Sequence, residues 1–303
     1  MKRLFSCLAV LSLLLSCSSD GSGKNKVIVF HAGSLSVPLK QMEREYEKLN
    51  PGIDIQLEGA GSVACARKIT DLNRECDIMA SADYRVIEEM LMPEYTDINI
   101  KFASNSMAVA YTDKSKFSDK INLDNWYKIL MDKEVIYGRS DPNSDPCGYR
   151  SIMTMKLADI YYGREDITET LLSKDQNMIR PKEVDLVALL ETGVLDYFFI
   201  YKSVALQHNF KFIDLPDEIN LSDPELNDLY SKVSVDIVGK APGEYIRMTG
   251  EEMVYGITLL NKAPQREEAI KFLKFFLGSQ GREIIVANGQ EVLDLPPGIP
   301  EDL

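Results

Sequence analysis

Histidine is almost absent: His31 and His208 are the only imidazoles in 303 residues. The five cysteines include no Cys-x-x-Cys pair, so the spacing of a structural zinc site is missing. No Gly-x-x-x-x-Gly-Lys-Ser/Thr string occurs, which removes the phosphate cradle of a nucleotide hydrolase. No serine stands in Gly-x-Ser-x-Gly either. Positive charge is scarce, with 34 Lys and Arg against 47 Asp and Glu and a net charge of −13. That balance is the reverse of the basic footprint a nucleic-acid binder needs. Beyond Cys17 no apolar run is long enough to cross a bilayer.

What is present begins with Met1-Lys2-Arg3 followed by an apolar core through Leu15. Two positive charges before a short apolar core form the pattern of an export signal. Its end, Leu14-Leu15-Ser16-Cys17, resembles the bacterial lipobox. The expectation is cleavage before Cys17 and lipidation of its thiol, with an ordinary cleaved signal or an uncleaved anchor as the alternatives. Residues 1–16 are then signal peptide and 17–25 a polar tether, since Ser18 to Lys24 offer nothing apolar to bury. Loss of Lys2 and Arg3 makes the remainder more acidic still. Net charge limits long-range steering of an anion more than local affinity, because helix N-termini and hydroxyls can build an anion site. With Cys17 acylated, Cys65, Cys76 and Cys147 allow at most one internal disulfide.

The rest alternates. Val27–Phe30 is a buried strand ending at His31-Ala32-Gly33-Ser34, and Leu39, Met42, Tyr46 and Leu49 mark a helix that Asn50-Pro51-Gly52 ends. Ile53–Leu57 leads through Gly59-Ala60-Gly61-Ser62 into a helix, and Cys76–Ala80 leads through Ser81-Ala82-Asp83 into another. Such a rhythm predicts an α/β protein whose mostly parallel sheets are covered on both faces. Met107–Tyr111 is a strand that carries the chain into a second lobe. Val135–Gly138 then precedes a helix with Met153, Leu157, Ile160 and Tyr161 on one face, and Pro181 opens a helix that Gly193 closes. Tyr197–Tyr201 and Val254–Leu259 are strands, and the helix carrying Ala269, Phe272, Leu273 and Phe276 packs on the first lobe. The expected division is 26–105 for the first part of lobe I, 106–213 for lobe II, and 214–303 for the return to lobe I.

Ligands of open α/β sheets bind at the carboxyl ends of strands. Three motifs fall there. Ser34 and Ser62 each follow glycine at a strand-to-helix junction, and Asp145-Pro146 is a cap followed by proline at the first helical position. Clustered amides and hydroxyls are what a desolvated oxyanion needs in place of water. Each motif taken alone is equally an ordinary N-cap. On spacing the chain is a two-lobed α/β binding protein or enzyme.

Longer strings narrow the choice. His31-Ala32-Gly33-Ser34-Leu35-Ser36-Val37-Pro38, Gly59-Ala60-Gly61-Ser62-Val63-Ala64 and Ser81-Ala82-Asp83-Tyr84 resemble the molybdate/tungstate-binding proteins of ABC transporters, as do Asp141 to Ser151 and Asp196 to Ala205. The likeness runs from about Val27 to Pro297. It implies a type II periplasmic binding fold, two lobes holding the oxyanion in a cleft, and delivery to an ABC permease whose ATPase supplies the energy. It implies a monomer with no cofactor and no catalysis. By matching strings, the ligand contacts are Gly33, Ser34, Ser62, the Asp145-Pro146-Cys147 turn, Glu183 and Tyr201, with Cys147 contributing backbone NH and not sulfur.

Asp145 and Glu183 beside a dianion repel it by several kcal/mol at close range. The resemblance resolves this by letting both carboxylates ligate molybdenum or tungsten, which accept hard oxygen donors, whereas sulfate and phosphate cannot expand their coordination. The plainer roles are a first-turn helix carboxylate for Glu183, a core aromatic for Tyr201 and a packed residue for His31. Competing functions are a binding protein for sulfate, one for ferric ion through tyrosines, or a serine hydrolase built on Ser34 or Ser62. The adjacent Tyr161-Tyr162 pair is expected to point its rings apart.

Overall fold

A computed structural model describes residues 24–239, 241 and 243–299. The expected signal peptide and the lipidation site Cys17 lie outside the described residues. Two sheets organise the rest. The first has six strands in the order β13-β4-β12-β3-β1-β2, where β1 is Asn25–Ala32, β2 Ile53–Ala60, β3 Ile78–Ser81, β4 Ile100–Ser104, β12 Val254–Leu259 and β13 Glu291–Val292. β1 lies between two parallel neighbours and is buried from Val27 on except for the half-buried Ile28, which explains its apolar run. β2 is the edge strand, and Asp54, Gln56 and Glu58 alternate along it. Helix α1, Ser36–Leu49, buries Leu39, Met42 and Tyr46, and the Tyr46 ring meets Phe272 and Phe275 at 5.1 and 5.2 Å. Each such side chain contributes about 2 kcal/mol. Leu49 does not join them and is 64% exposed, because the last turn of α1 runs past the sheet into Asn50. Helices α2, Ser62–Thr70, and α3, Tyr84–Met90, follow β2 and β3.

The second sheet has five strands in the order β7-β6-β8-β5-β9, with β5 Met107–Tyr111, β6 Tyr137–Ser140, β7 Ile179–Arg180, β8 Tyr197–Tyr201 and β9 Lys211–Asp214. After α4, Trp126–Met131, the dominant helix is α5, Pro146–Tyr162, capped by Asp145 and closed by Gly163 at φ 62°. It is buried on nearly every side through Ala158, so it has no single apolar stripe. Ile160 and Tyr161, expected to face inward, are 48% and 47% exposed. The Tyr161 and Tyr162 rings do not diverge; they meet edge to face at 4.9 Å. The helix expected to open at Pro181 starts two residues later as a 3-10 turn, Glu183–Leu186, continuing as Val187–Glu191.

The α/β class stands, but parallel pairing does not predominate. β12 runs antiparallel to β3 and β4, β13 antiparallel to β4, and β5 antiparallel to β8 and β9. The cause is where the chain crosses: β12 and β13 belong to the returning chain and run against the strands laid down before it left, and β5 is the strand on which it enters the second sheet. It leaves through Asn105 and Ser106, between β4 and β5, and returns between β9 and β12. On the return it forms a separate antiparallel hairpin, β10 Ser234–Val238 with β11 Tyr245–Thr249.

Candidate functional site

The carboxyl ends of β1, β2 and β3 put three loops on one edge of the first sheet. After β1, Gly33 and Ser34 begin a 3-10 turn and are buried. The Tyr255 hydroxyl donates to Ser34 Oγ at 3.0 Å and itself accepts from Asn105 Nδ2 at 3.0 Å. After β2, Ser62 Oγ accepts the Ala82 amide at 3.0 Å. Each serine oxygen is thus engaged as an acceptor, which turns its hydrogen toward another acceptor. His31 stays out of this cluster, buried with Nδ1 2.8 Å from the Ala32 carbonyl oxygen. Neither serine has a histidine partner among the described residues, as a hydrolase triad requires.

From the second sheet come the carboxylates. Asp145 is buried at the start of α5, where Oδ1 accepts the Cys147 amide at 3.1 Å and Oδ2 accepts the Glu183 amide at 2.9 Å. Pro146 fills the first helical position, where no amide is needed. The Cys147 amide is therefore already engaged, while its thiol turns to the Phe199 carbonyl at 3.8 Å. Glu183 is 1% exposed, and among the described residues neither carboxylate oxygen makes a well-aligned hydrogen bond, its polar neighbours being the Ser34 amide and the Asp145 carboxyl. It lies against Gly33, where a Cβ would stand 2.9 Å from both carboxylate oxygens. Burial pushes the Glu183 carboxyl well above its usual range, and the nearby Asp145 charge raises it further. Burial raises Asp145 as well. Two neighbouring carboxyls this dry resist carrying two negative charges at once. A solvated helix-end carboxylate would show none of this.

The loops at the ends of the two sheets meet. The Ala64 amide donates to the Ser144 carbonyl at 3.1 Å, and a Cβ on Gly61 would stand 2.2 Å from that same oxygen. Tyr201, at the end of β8, is buried with its ring 6.2 Å from Tyr255 and its hydroxyl oxygen accepting from Arg150 Nη1 at 3.3 Å. Arg150 also donates to the Ala82 carbonyl at 2.6 Å and pairs with Asp83 at 3.1 Å, an oxygen that also accepts the Tyr149 hydroxyl at 2.6 Å. Contacts link these buried residues where the loops of the two sheets meet: Glu183 lies against Gly33 and gives its amide to Asp145, Tyr255 touches both Ser34 and Tyr201, and Arg150 joins Tyr201 to Ala82 beside Ser62. Arg150, Asp83, Tyr149, Tyr255 and Asn105, to which the sequence reading gave no role, frame this junction. The available signal was a lone cation, Arg150, in the otherwise uncharged stretch Pro146 to Met155 just after Asp145, and it is 3% exposed. Among the described residues no group of three or more His, Cys, Asp or Glu could hold a bare metal ion.

Residues 27–291 match the family model described as bacterial extracellular solute-binding protein. A Petrotoga mobilis protein named an uncharacterized solute-binding protein is 49% identical, covering 94% of this chain and 88% of that one. A Pyrococcus abyssi protein named molybdate/tungstate-binding protein WtpA is 46% identical, covering 98% of this chain and 95% of its own length. The periplasmic molybdate-binding protein of Azotobacter vinelandii superposes with a TM-score of 0.63 at 15% identity, covering 88% of this chain and all of that one. At that identity the likeness speaks for the fold, which is the two-lobed type II architecture of periplasmic solute-binding proteins.

Proposed function

The chain belongs to the bacterial extracellular solute-binding protein family, and on that premise we propose that it captures molybdate or tungstate outside the cytoplasm and delivers it to an ABC permease. The observation that carries the ligand is the Asp145–Glu183 pair. Both carboxyls are buried at the meeting of the lobes, and among the described residues neither Glu183 oxygen makes a well-aligned hydrogen bond. Ionising both buried carboxyls without a cationic centre between them costs several kcal/mol, so the pair points to a partner that folding does not supply. A high-valent metal inside an oxyanion is such a partner, since it takes hard oxygen ligands. Ser34, Ser62 and Tyr201 each retain a hydroxyl hydrogen with no acceptor among the described residues, and these donate to the anion's oxygens. The likeness in name and sequence to the Pyrococcus protein supports the same ligand. Lipidation at Cys17 and work as a monomer belong to this proposal as well.

Sulfate is the competing ligand, and the two carboxylates disfavour it because sulfur and phosphorus gain no fifth or sixth oxygen. X-ray absorption at the tungsten edge decides between them. The proposal expects about six oxygen neighbours around bound tungsten, and four neighbours would overturn carboxylate ligation. Calorimetry adds a second measure. Glu183→Gln should weaken tungstate about 100-fold or more, an amount equal to roughly 3 kcal/mol. Equal affinity in the variant would end the role assigned to Glu183.

A further inference from the structure

The buried ion pair between the lobes joins closure to donor geometry, an inference that rests on the oxyanion reading above. Arg150 projects from α5 of the second lobe with three targets. Two, the Ala82 carbonyl at 2.6 Å and Asp83 Oδ2 at 3.1 Å, belong to the first lobe. The third, the Tyr201 hydroxyl oxygen at 3.3 Å, belongs to its own. Ala82 in turn gives its amide to Ser62 Oγ at 3.0 Å. Asp83 is itself held, with Oδ1 accepting the Arg85 amide at 2.9 Å and Oδ2 the Tyr149 hydroxyl at 2.6 Å. One guanidinium therefore stands behind both hydroxyls, directly for Tyr201 and through the Ala82 main chain for Ser62. A hydroxyl whose oxygen already accepts presents its hydrogen elsewhere. The planar fork of arginine reaches separate acceptors in fixed directions, which a lysine ammonium on a flexible stem does not.

We propose that Arg150 is a positioning residue for the bound oxyanion. From behind the site it orients the Tyr201 and Ser62 hydroxyls, and it does so fully only when Ala82 and Asp83 have closed on it. With the lobes apart, the guanidinium keeps only Tyr201, and Ala82 loses the donor that fixes its carbonyl. Closing the cleft and aiming the donors are then one event. A merely structural ion pair would couple to neither hydroxyl.

The test is a double-mutant cycle on tungstate affinity with Arg150→Lys, Tyr201→Phe and both together, each also followed by thermal unfolding without ligand. Arg150→Lys keeps a cation opposite Asp83, so its unfolding should stay near that of the wild type. Its affinity should fall about 10- to 100-fold, the scale of a hydrogen bond to a charged group. Tyr201→Phe should cost about 10-fold, and the double variant should be no weaker than Arg150→Lys alone. Losses that multiply in the double variant, or wild-type affinity in Arg150→Lys, would overturn the proposal. Should Arg150→Lys fail to fold, Asp83→Asn replaces it in the same cycle, because asparagine keeps the cap of α3, and the same two outcomes decide. A wild type that binds while the losses multiply sinks this inference alone. A wild type that binds neither molybdate nor tungstate sinks the oxyanion reading and this inference with it.

Discussion

At Gly33 the absent side chain lets a carboxylate rest against main chain, and nearby His31 shows what burial does to a titrating group. Desolvation lowers the His31 pKa from 6.5 to about 4. The unfolded chain therefore takes up a proton below pH 6.5 that the folded chain refuses. The stability tied to neutral His31 is complete above pH 6.5, is lost as pH falls toward 4, and changes no further below. Over that window the loss is on the order of 3 kcal/mol. Urea unfolding at pH 7 and pH 4.5 should show wild type losing that much more than His31→Asn, and parallel losses in the two proteins would refute it. Ser34, Ser62, Asp145 and Glu183 were legible because each sits beside a local cue: a glycine before a helix, a cap before a proline, or a family string. Tyr255 and Asn105 were not, because their bond joins residues 150 positions apart and no local pattern encodes it.

Among the elements, the strands β1, β8 and β12 followed from apolar runs, since they are buried over most of their length, whereas the short or part-exposed β4, β7, β9 and β13 were not read. Strand direction was harder to read, because it depends on where the chain crosses between sheets and not on any one segment. The β10–β11 hairpin was missed for a related reason: its alternation is short and half exposed. It is nonetheless placed to matter. Lys156 of α5 donates to the Ser234 carbonyl at 2.6 Å and Asn143 accepts the Val238 amide at 2.9 Å, so the hairpin is held by the second lobe. From the first lobe, Arg67 donates to the Val238 and Gly239 carbonyls at 2.8 and 3.2 Å. These bonds cross the cleft and exist when it is shut. Arg67→Ala should speed release of bound tungstate about 3- to 10-fold in stopped-flow chase, near 1 kcal/mol for a partly exposed pair of hydrogen bonds, and leave association unchanged. A slower association with unaltered release would show that the hairpin guards entry instead.

For the whole molecule, the two lobes touch at Gly61, which faces the Ser144 carbonyl and Asp145. The residue has φ −62°, so a side chain there meets no backbone strain, only the opposite lobe. Gly61→Val should therefore fold with a Tm close to wild type and yet fail to contract on adding tungstate in small-angle scattering, with affinity down about 100-fold or more. A variant that contracts like wild type would mean that the closed arrangement bends around the extra methyls. The same contact makes the receptor a gauge. Main chain set against main chain has no rotamer to yield, so the chamber cannot stretch for a bulkier guest, and a condensed anion such as a dimolybdate would wedge the jaws ajar. Under the proposed function, girth is thus screened by main chain alone, apart from anything the carboxylates do.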